Sequence, residues 1–251
     1  EVTIDTAAAK QFHPNVDHSY QIQAEVVDQS RRTIVANGRV LVAREPFKVY
    51  VWTNRGYYRT GDTMELDMAA RTIDGKPVKA RGVLRLLKIA YEDGKPVENE
   101  AAKWDVPTDA QGRATFQVKA SEPGQYRLAY TVTKKIADES QSIEGGQVIV
   151  VRGDGFDGSD FRFNAVEVVA DKRDYAPGEK VQLQVSSNRA DSTVLLFMRP
   201  ANGVYLPPQV VTLKGKSTIV EVPVEQRDMP NFFVEAVTVH GGQLHTTVRE
   251  I

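Results

Sequence analysis

Apolar and polar residues alternate along much of this chain, and the alternation returns at long intervals. Tyr20, Ile22, Ala24 and Val26 are separated by Gln21, Gln23 and Glu25. A period of two predicts a β-strand with one face dry and the other wet. Tyr126, Leu128, Tyr130 and Val132 repeat the pattern, and so do Phe232, Val234, Ala236 and Thr238. The step is 106 residues each time (20 to 126, 126 to 232). A second apolar run follows each copy: Val40-Leu41-Val42 after a turn at Asp28-Gln29-Ser30 and Gly38, then Val148-Ile149-Val150-Val151, then Thr246-Thr247-Val248. Three hairpins are expected, spaced like domains rather than solenoid repeats.

A second motif repeats independently. Gly56-Tyr57-Tyr58-Arg59-Thr60-Gly61-Asp62-Thr63-Met64-Glu65-Leu66 returns as Arg173-Asp174-Tyr175-Ala176-Pro177-Gly178-Glu179-Lys180-Val181-Gln182-Leu183, at a constant offset of 117 residues (58 to 175). Pro177 presets φ for a turn, Gly178 accepts a positive φ, and an acid stands where the next strand begins. Nothing in the motif is nucleophilic or metal-selective, so it marks architecture. The turn occurs twice and the hairpin three times. Residues 1–44 therefore read as the back half of a β-domain, residues 45–152 as a complete one, and residues 161–251 as a third.

Between these landmarks the strands are dense. Phe47–Trp52, Thr63–Ala69, Val83–Ile89 and Ala114–Val118 read as strands in the middle copy, with turns at Asp74-Gly75-Lys76-Pro77, Asp93-Gly94-Lys95-Pro96 and Asp109–Arg113. The third copy offers Val166–Ala170, Val181–Ser186, Thr193–Met198, Gln209–Leu213 and Thr218–Val222. About seven strands per copy, turns every ~8–12 residues and no convincing amphipathic helix predict an all-β chain of tandem antiparallel β-sandwiches of the Ig-like kind. Gly153–Asp160 is Gly-rich, acidic and aperiodic, and reads as a linker. Residues 1–19 are weakly patterned: Val2-Thr3-Ile4 suggests a strand, Ala7-Ala8-Ala9 and Pro14-Asn15 a connection.

Charge narrows the function. The 32 basic and 33 acidic residues are interspersed and leave a net charge of −1, without the basic stripe a nucleic-acid interface needs. No apolar run approaches the ~18 residues of a membrane span, so direct membrane insertion is not expected. With no cysteine, disulfides and thiolate chemistry within the chain are excluded. The chain opens at Glu1 rather than Met, which suggests an excised or processed product.

Candidate sites are few. His240 and His245 flank Gly241-Gly242 and, with His13 and His18, invite a metal reading, but two imidazoles without a placed carboxylate make a poor zinc site. Asp154, Asp157 and Asp160 are spaced by three, which misses the alternate-position order of an EF-hand loop. Arg152-Gly153-Asp154 is a tripeptide that some surface receptors bind. Glu98 and Glu100 fall in a polar stretch expected to be a solvated loop. Trp52, Tyr57, Tyr58 and Trp104 could form a sugar platform, with core packing the plainer reading. Pro207-Pro208 suggests an edge or loop. No Gly-x-Ser-x-Gly elbow frames a nucleophile. No catalytic, cofactor-binding or metal residue is assigned, and no cofactor is expected.

Taken together, the motifs resemble a known family. The Tyr58-x-x-Gly61-Asp62 and Tyr175-x-Pro177-Gly178-Glu179 turns, Asp74-Gly75-Lys76-Pro77-Val78, Thr108-Asp109-Ala110-Gln111-Gly112, Gly124-Gln125-Tyr126 and Asp228-Met229-Pro230-Asn231-Phe232-Phe233-Val234 stand in the order found in macroglobulin domains. The chain resembles the N-terminal half of a bacterial alpha-2-macroglobulin. The resemblance implies seven-stranded macroglobulin sandwiches from a broad-spectrum endopeptidase inhibitor, a protease trap. It implies target proteases as partners of the whole protein and adjacent macroglobulin domains as partners within the chain. It also implies a periplasmic or secreted, extracytoplasmic location, with any lipid anchor elsewhere. The chain lacks the family's thioester cysteine and any long disordered insertion that reads as bait. The competing expectation is a set of Ig-like spacer or adhesion modules of a bacterial surface protein.

Overall fold

Alternation along the chain becomes strands almost everywhere. The computed structural model describes residues 3–13, 15–200 and 203–251. The first departure from expectation is a short helix, α1 (Ala7–Phe12), where Ala7–Ala9 reads as a connection. Alanine, lysine and glutamine are strong helix formers, and the Asp5 Oδ1 accepts the Ala7 N–H at 2.8 Å. Thr3 and Ile4 form no regular structure, while Val2 and Pro14 lie outside the described residues.

The first hairpin pairs β1 (His18–Val27) with β2 (Thr33–Val42) from His18↔Val42 to Val27↔Thr33. Val26, Val27, Ile34, Val35, Val40 and Leu41 on it are all exposed. Asp17 ties its base to the next strand, accepting the Arg44 N–H at 3.0 Å and pairing with Lys48.

Eight strands follow: β3 (Lys48–Thr53), β4 (Tyr58–Arg59), β5 (Thr63–Arg71), β6 (Arg81–Glu92), β7 (Lys95–Asp105), β8 (Arg113–Lys119), β9 (Gly124–Ile136) and β10 (Glu139–Arg152). They form a three-stranded sheet, β3-β5-β8, and a five-stranded sheet, β4-β10-β9-β6-β7. The inward positions of each alternation meet between them. Met64, Leu66 and Met68 of β5 pack with Leu84, Tyr126, Leu128, Tyr130 and Val132 from the opposite sheet.

One strand was not legible in the sequence. The Asp93-Gly94 pair alone makes the turn, with φ of 47° and 75°. That is the positive-φ pairing favoured by two-residue hairpins. Lys95 and Pro96 already belong to β7, so Glu98 and Glu100 stand on an edge strand rather than in a loop. Charged side chains at an edge are what keep such a strand from pairing with another chain.

The second sandwich comprises β11 (Glu167–Ala170), β12 (Lys180–Ser186), β13 (Thr193–Arg199), β14 (Gln209–Thr212), β15 (Ser217–Pro223), β16 (Phe233–His240) and β17 (Gln243–Glu250). Its sheets, β11-β12-β15 and β14-β13-β16-β17, reproduce the order of the first sandwich without a counterpart to β4. A separate core forms from Val181, Leu183, Val185, Leu196, Leu213, Phe232, Val234 and others. Pro207 and Pro208 lie immediately before the edge strand β14. The chain is all-β, built of tandem antiparallel sandwiches.

Candidate interdomain site

The repeated turn is reproduced bond for bond. Tyr58 donates its hydroxyl to Asn54 Oδ1 at 2.6 Å and accepts the Arg55 N–H at 3.3 Å. Tyr175 donates to Asp171 Oδ1 at 2.7 Å and accepts the Lys172 N–H at 2.8 Å. Asp62 accepts the Arg59 N–H and pairs with Arg55, while Glu179 accepts the Ala176 N–H and pairs with Lys172. Gly61 and Gly178 have φ of 96° and 95°, and each donates its N–H to the residue just past the third strand of its sheet, Ala120 after β8 and Val224 after β15. Burial raises both tyrosine pKa values, and the bond to Asp171 raises that of Tyr175 further.

The first turn does one thing more: it carries the joint between the sandwiches. Gly56 lies so close to the second sandwich that a Cβ there would come within 2.2 Å of Val169 Cγ1 and 2.6 Å of the Ala170 carbonyl. Next to it Tyr57 is buried and donates to the Gln182 carbonyl at 3.3 Å. Arg173, the counterpart of Gly56, donates back to the Thr53 carbonyl at 2.7 Å. On the other side Gln125 is held by the Tyr91 hydroxyl and donates to the Arg162 carbonyl, and the Arg162 guanidinium lies over the Tyr91 ring.

Arg152, the last residue of β10, sits in the middle. Its guanidinium lies 4.6 Å from the Phe156 ring centre and 5.8 Å from that of Tyr57, and donates to Gln184 Oε1 at 3.3 Å. Burial pushes its pKa down; Tyr57 opposes this, and the neighbouring Arg59 adds a smaller downward push. Arg59 is its registered partner on the parallel β4–β10 pair. Both arginines line a cleft of about 740 Å³ with Thr60, Pro123, Asp154, Phe156 and Ile219.

The linker expected at Gly153–Asp160 is aperiodic and packs on the second sandwich. Phe156, Phe161 and Phe163 form a chain of ring contacts. Lys216 donates its N–H to the Asp157 carbonyl and its ammonium to the Ser159 and Phe161 carbonyls. The Asp157 carboxylate accepts from Ser159, which lowers its pKa. Among the described residues no three His, Asp or Glu side chains converge as a metal group. In Arg152-Gly153-Asp154 the arginine is half-buried and donates to Gln184 across the joint, while the exposed Asp154 lines the same cleft without pairing with it.

The other candidates scatter. His13 and His18 lie with ring centres 6.3 Å apart; His240 and His245 stack at 4.0 Å, with both Nε2 atoms shielded and unpartnered. Burial lowers the His240 pKa, helped by His245 and Arg189. Glu98 forms a forked pair with Arg127, which also holds Glu144. Tyr58 is core, Tyr57 belongs to the joint, and Trp104 packs on Phe116, so the aromatics form no common platform. Sequence reasoning missed the joint, although the inward-facing Tyr57 stands beside the motif it identified. It also missed Asn54 and Asp171, which stand at the same 117-residue offset (54 to 171) and were findable by extending the repeat.

Among the described residues no helix is long and apolar enough to cross a membrane. No curated protein matches the chain. Residues 166–251 match the family model of the alpha-2-macroglobulin bait region domain. Among solved structures, the native conformation of E. coli alpha-2-macroglobulin aligns over 94% of this chain and 17% of its own, at 13% identity and a TM-score of 0.32. A tetra-tandem repeat from the extending region of a large adhesion protein aligns over 95% of this chain and 57% of its own, at 13% identity and a TM-score of 0.28. A DUF4785 family protein from Legionella pneumophila aligns over 83% and 57%, at 12% identity and a TM-score of 0.35. The chain thus spans about a sixth of the E. coli macroglobulin, and at these scores the overlays separate none of the three. The family match is confined to residues 166–251, which are the second sandwich of this chain.

Proposed function

We propose that this chain is a non-catalytic part of a bacterial alpha-2-macroglobulin-type endopeptidase inhibitor, acting outside the cytoplasm. In this reading its sandwiches scaffold the wall of a protease trap. The observation that carries the reading is the family match over residues 166–251. Support comes from the repeat of the Tyr58 and Tyr175 turns and of the strand order, on which we read the first sandwich as a second copy of the matched unit. The partners of the whole protein are then proteases, and those of this part are neighbouring sandwiches. The rigid pieces are two cores, and the mechanical question is how the joint at Tyr57 and Arg152 responds when a protease cuts elsewhere.

The natural full-length protein tests this. It is incubated with a broad-specificity protease, and residual activity is read on a large protein substrate and on a small peptide. Enclosure predicts loss of activity on the protein substrate with the peptide still cut. Equal activity on both substrates, with and without the protein, overturns the trap and favours a surface spacer.

A further inference from the structure

Two arginines in register on adjacent strands, with no acid between them, call for an explanation. Arg59 and Arg152 are directly paired positions of the parallel β4–β10 ladder, and both side chains face the same cleft. Like charges in direct cross-strand register are destabilising. Arg152 is also half-buried, held between the Phe156 and Tyr57 rings, where a guanidinium has lost much of its water. Neither arginine forms an ion pair among the described residues, although Arg55, Arg85, Arg127 and Arg227 all do. Asp154 lines the cleft but comes within ion-pair distance of neither. The N–H groups of Gly153, Asp154 and Gly155 at the rim donate to no protein acceptor among the described residues.

We propose that the cleft bounded by Arg59, Arg152 and the Gly153–Gly155 backbone is an oxyanion-binding site at the joint between the sandwiches. A carboxylate or phosphate group there takes charge-assisted bonds from two guanidiniums, whose planar forks suit both. Backbone N–H groups in a glycine-rich turn add neutral donors of the kind that cradle anions. The wall of Phe156 and Ile219 leaves room for an apolar stem behind the charge. Because Arg152 also holds Gln184 of the second sandwich, occupancy stiffens the joint. The oxyanion comes either from a free phosphate or from an acidic side chain of an adjoining segment.

The test is a heteronuclear NMR titration of the whole chain with inorganic phosphate and, separately, with glutarate as a mimic of an acidic side chain. Saturable shifts are expected at the Arg59 and Arg152 Nε–H signals and the Gly153–Gly155 amides. Saturation by phosphate alone assigns a phosphate source; saturation by glutarate assigns the acidic side chain. Arg59→Gln is expected to weaken binding at least tenfold, with Arg189→Gln, which lines a separate pocket beside His240, as the unchanged control. A second readout needs no ligand: in an anion-free, low-salt buffer Arg59→Gln raises the thermal midpoint by relieving Arg152. Absence of saturable shifts with both anions, equal binding by Arg59→Gln, or a lowered midpoint in that variant each overturns the proposal.

Discussion

Tyr58 shows how much of this fold is decided by one hydroxyl. The ring is fully buried, and its O–H joins Asn54 and the Arg55 amide into a closed corner. Phenylalanine at this position keeps the packing but removes the hydroxyl that links half-buried Asn54 to the Arg55 amide, a net loss of about 1 kcal/mol. Tyr58→Phe should therefore lower the urea midpoint of the first sandwich, and Tyr175→Phe that of the second, each leaving the other unit's transition in place. The repeat announced both tyrosines in the sequence because spacing and residue type survive in it. Their acceptors, Asn54 and Asp171, differ in chemistry, and only the common Oδ1 makes them equivalent.

At the level of the element, β7 is the instructive strand. Its residues from Lys95 to Asp105 carry little apolar alternation, since an edge strand with a wet face has few positions to bury. Alternation reports burial, so it finds β5 and β9 and misses β7. Beyond its ladder β7 is held by Trp104 packed on Phe116 and by the Glu98–Arg127–Glu144 network on the outer face. The Arg127 fork lowers the pKa of Glu98. Burial acts to raise Glu144, but Arg127 and Arg85 prevail and lower it too. Carboxylates with folded values below their ordinary range stabilise the fold above about pH 4.5, and that contribution fades as pH falls through the lowered values. Arg127→Met should cost about 1 kcal/mol at pH 7, since partly exposed pairs are worth little singly and more as a forked network. The deficit should shrink in molar salt and vanish near pH 2, as read by urea unfolding across pH.

For the whole molecule the sequence revealed the units and concealed the joint. Tyr57 and Gln182 are 125 residues apart, and no local pattern shows that one caps the other. Gly153–Asp160 carries the composition of a free linker, yet the Phe156 contact with Phe161 and the Lys216 bond to Ser159 fasten it down. Arg152 has the same invisibility: as the end of an apolar run it reads as a strand terminus, and only the fold sets it beside Arg59. Gly56 gives the cleanest probe of the arrangement. A valine there collides with Val169 and with the carbonyl of Ala170, a residue of the second core, while the first core lies elsewhere. Gly56→Val should change the small-angle scattering curve toward a more open shape, leave amide signals in the first core unmoved and confine shifts in the second to the neighbourhood of Ala170. An unchanged curve would mean that the joint absorbs the side chain.

The long strand β10 has one more consequence. It runs 14 residues from the hairpin end at Glu139 to Arg152. At ~3.3 Å per residue it is a lever about 45 Å long. Its fulcrum is the arginine fixed between Tyr57, Phe156 and Gln184. Turning such an arm by about ten degrees sweeps its far end through about 8 Å at that strand rise. Because β10 is registered on β9 from Glu139 to Val151, the arm moves with its whole sheet, and a small rotation at the joint becomes a displacement larger than the spacing between strands.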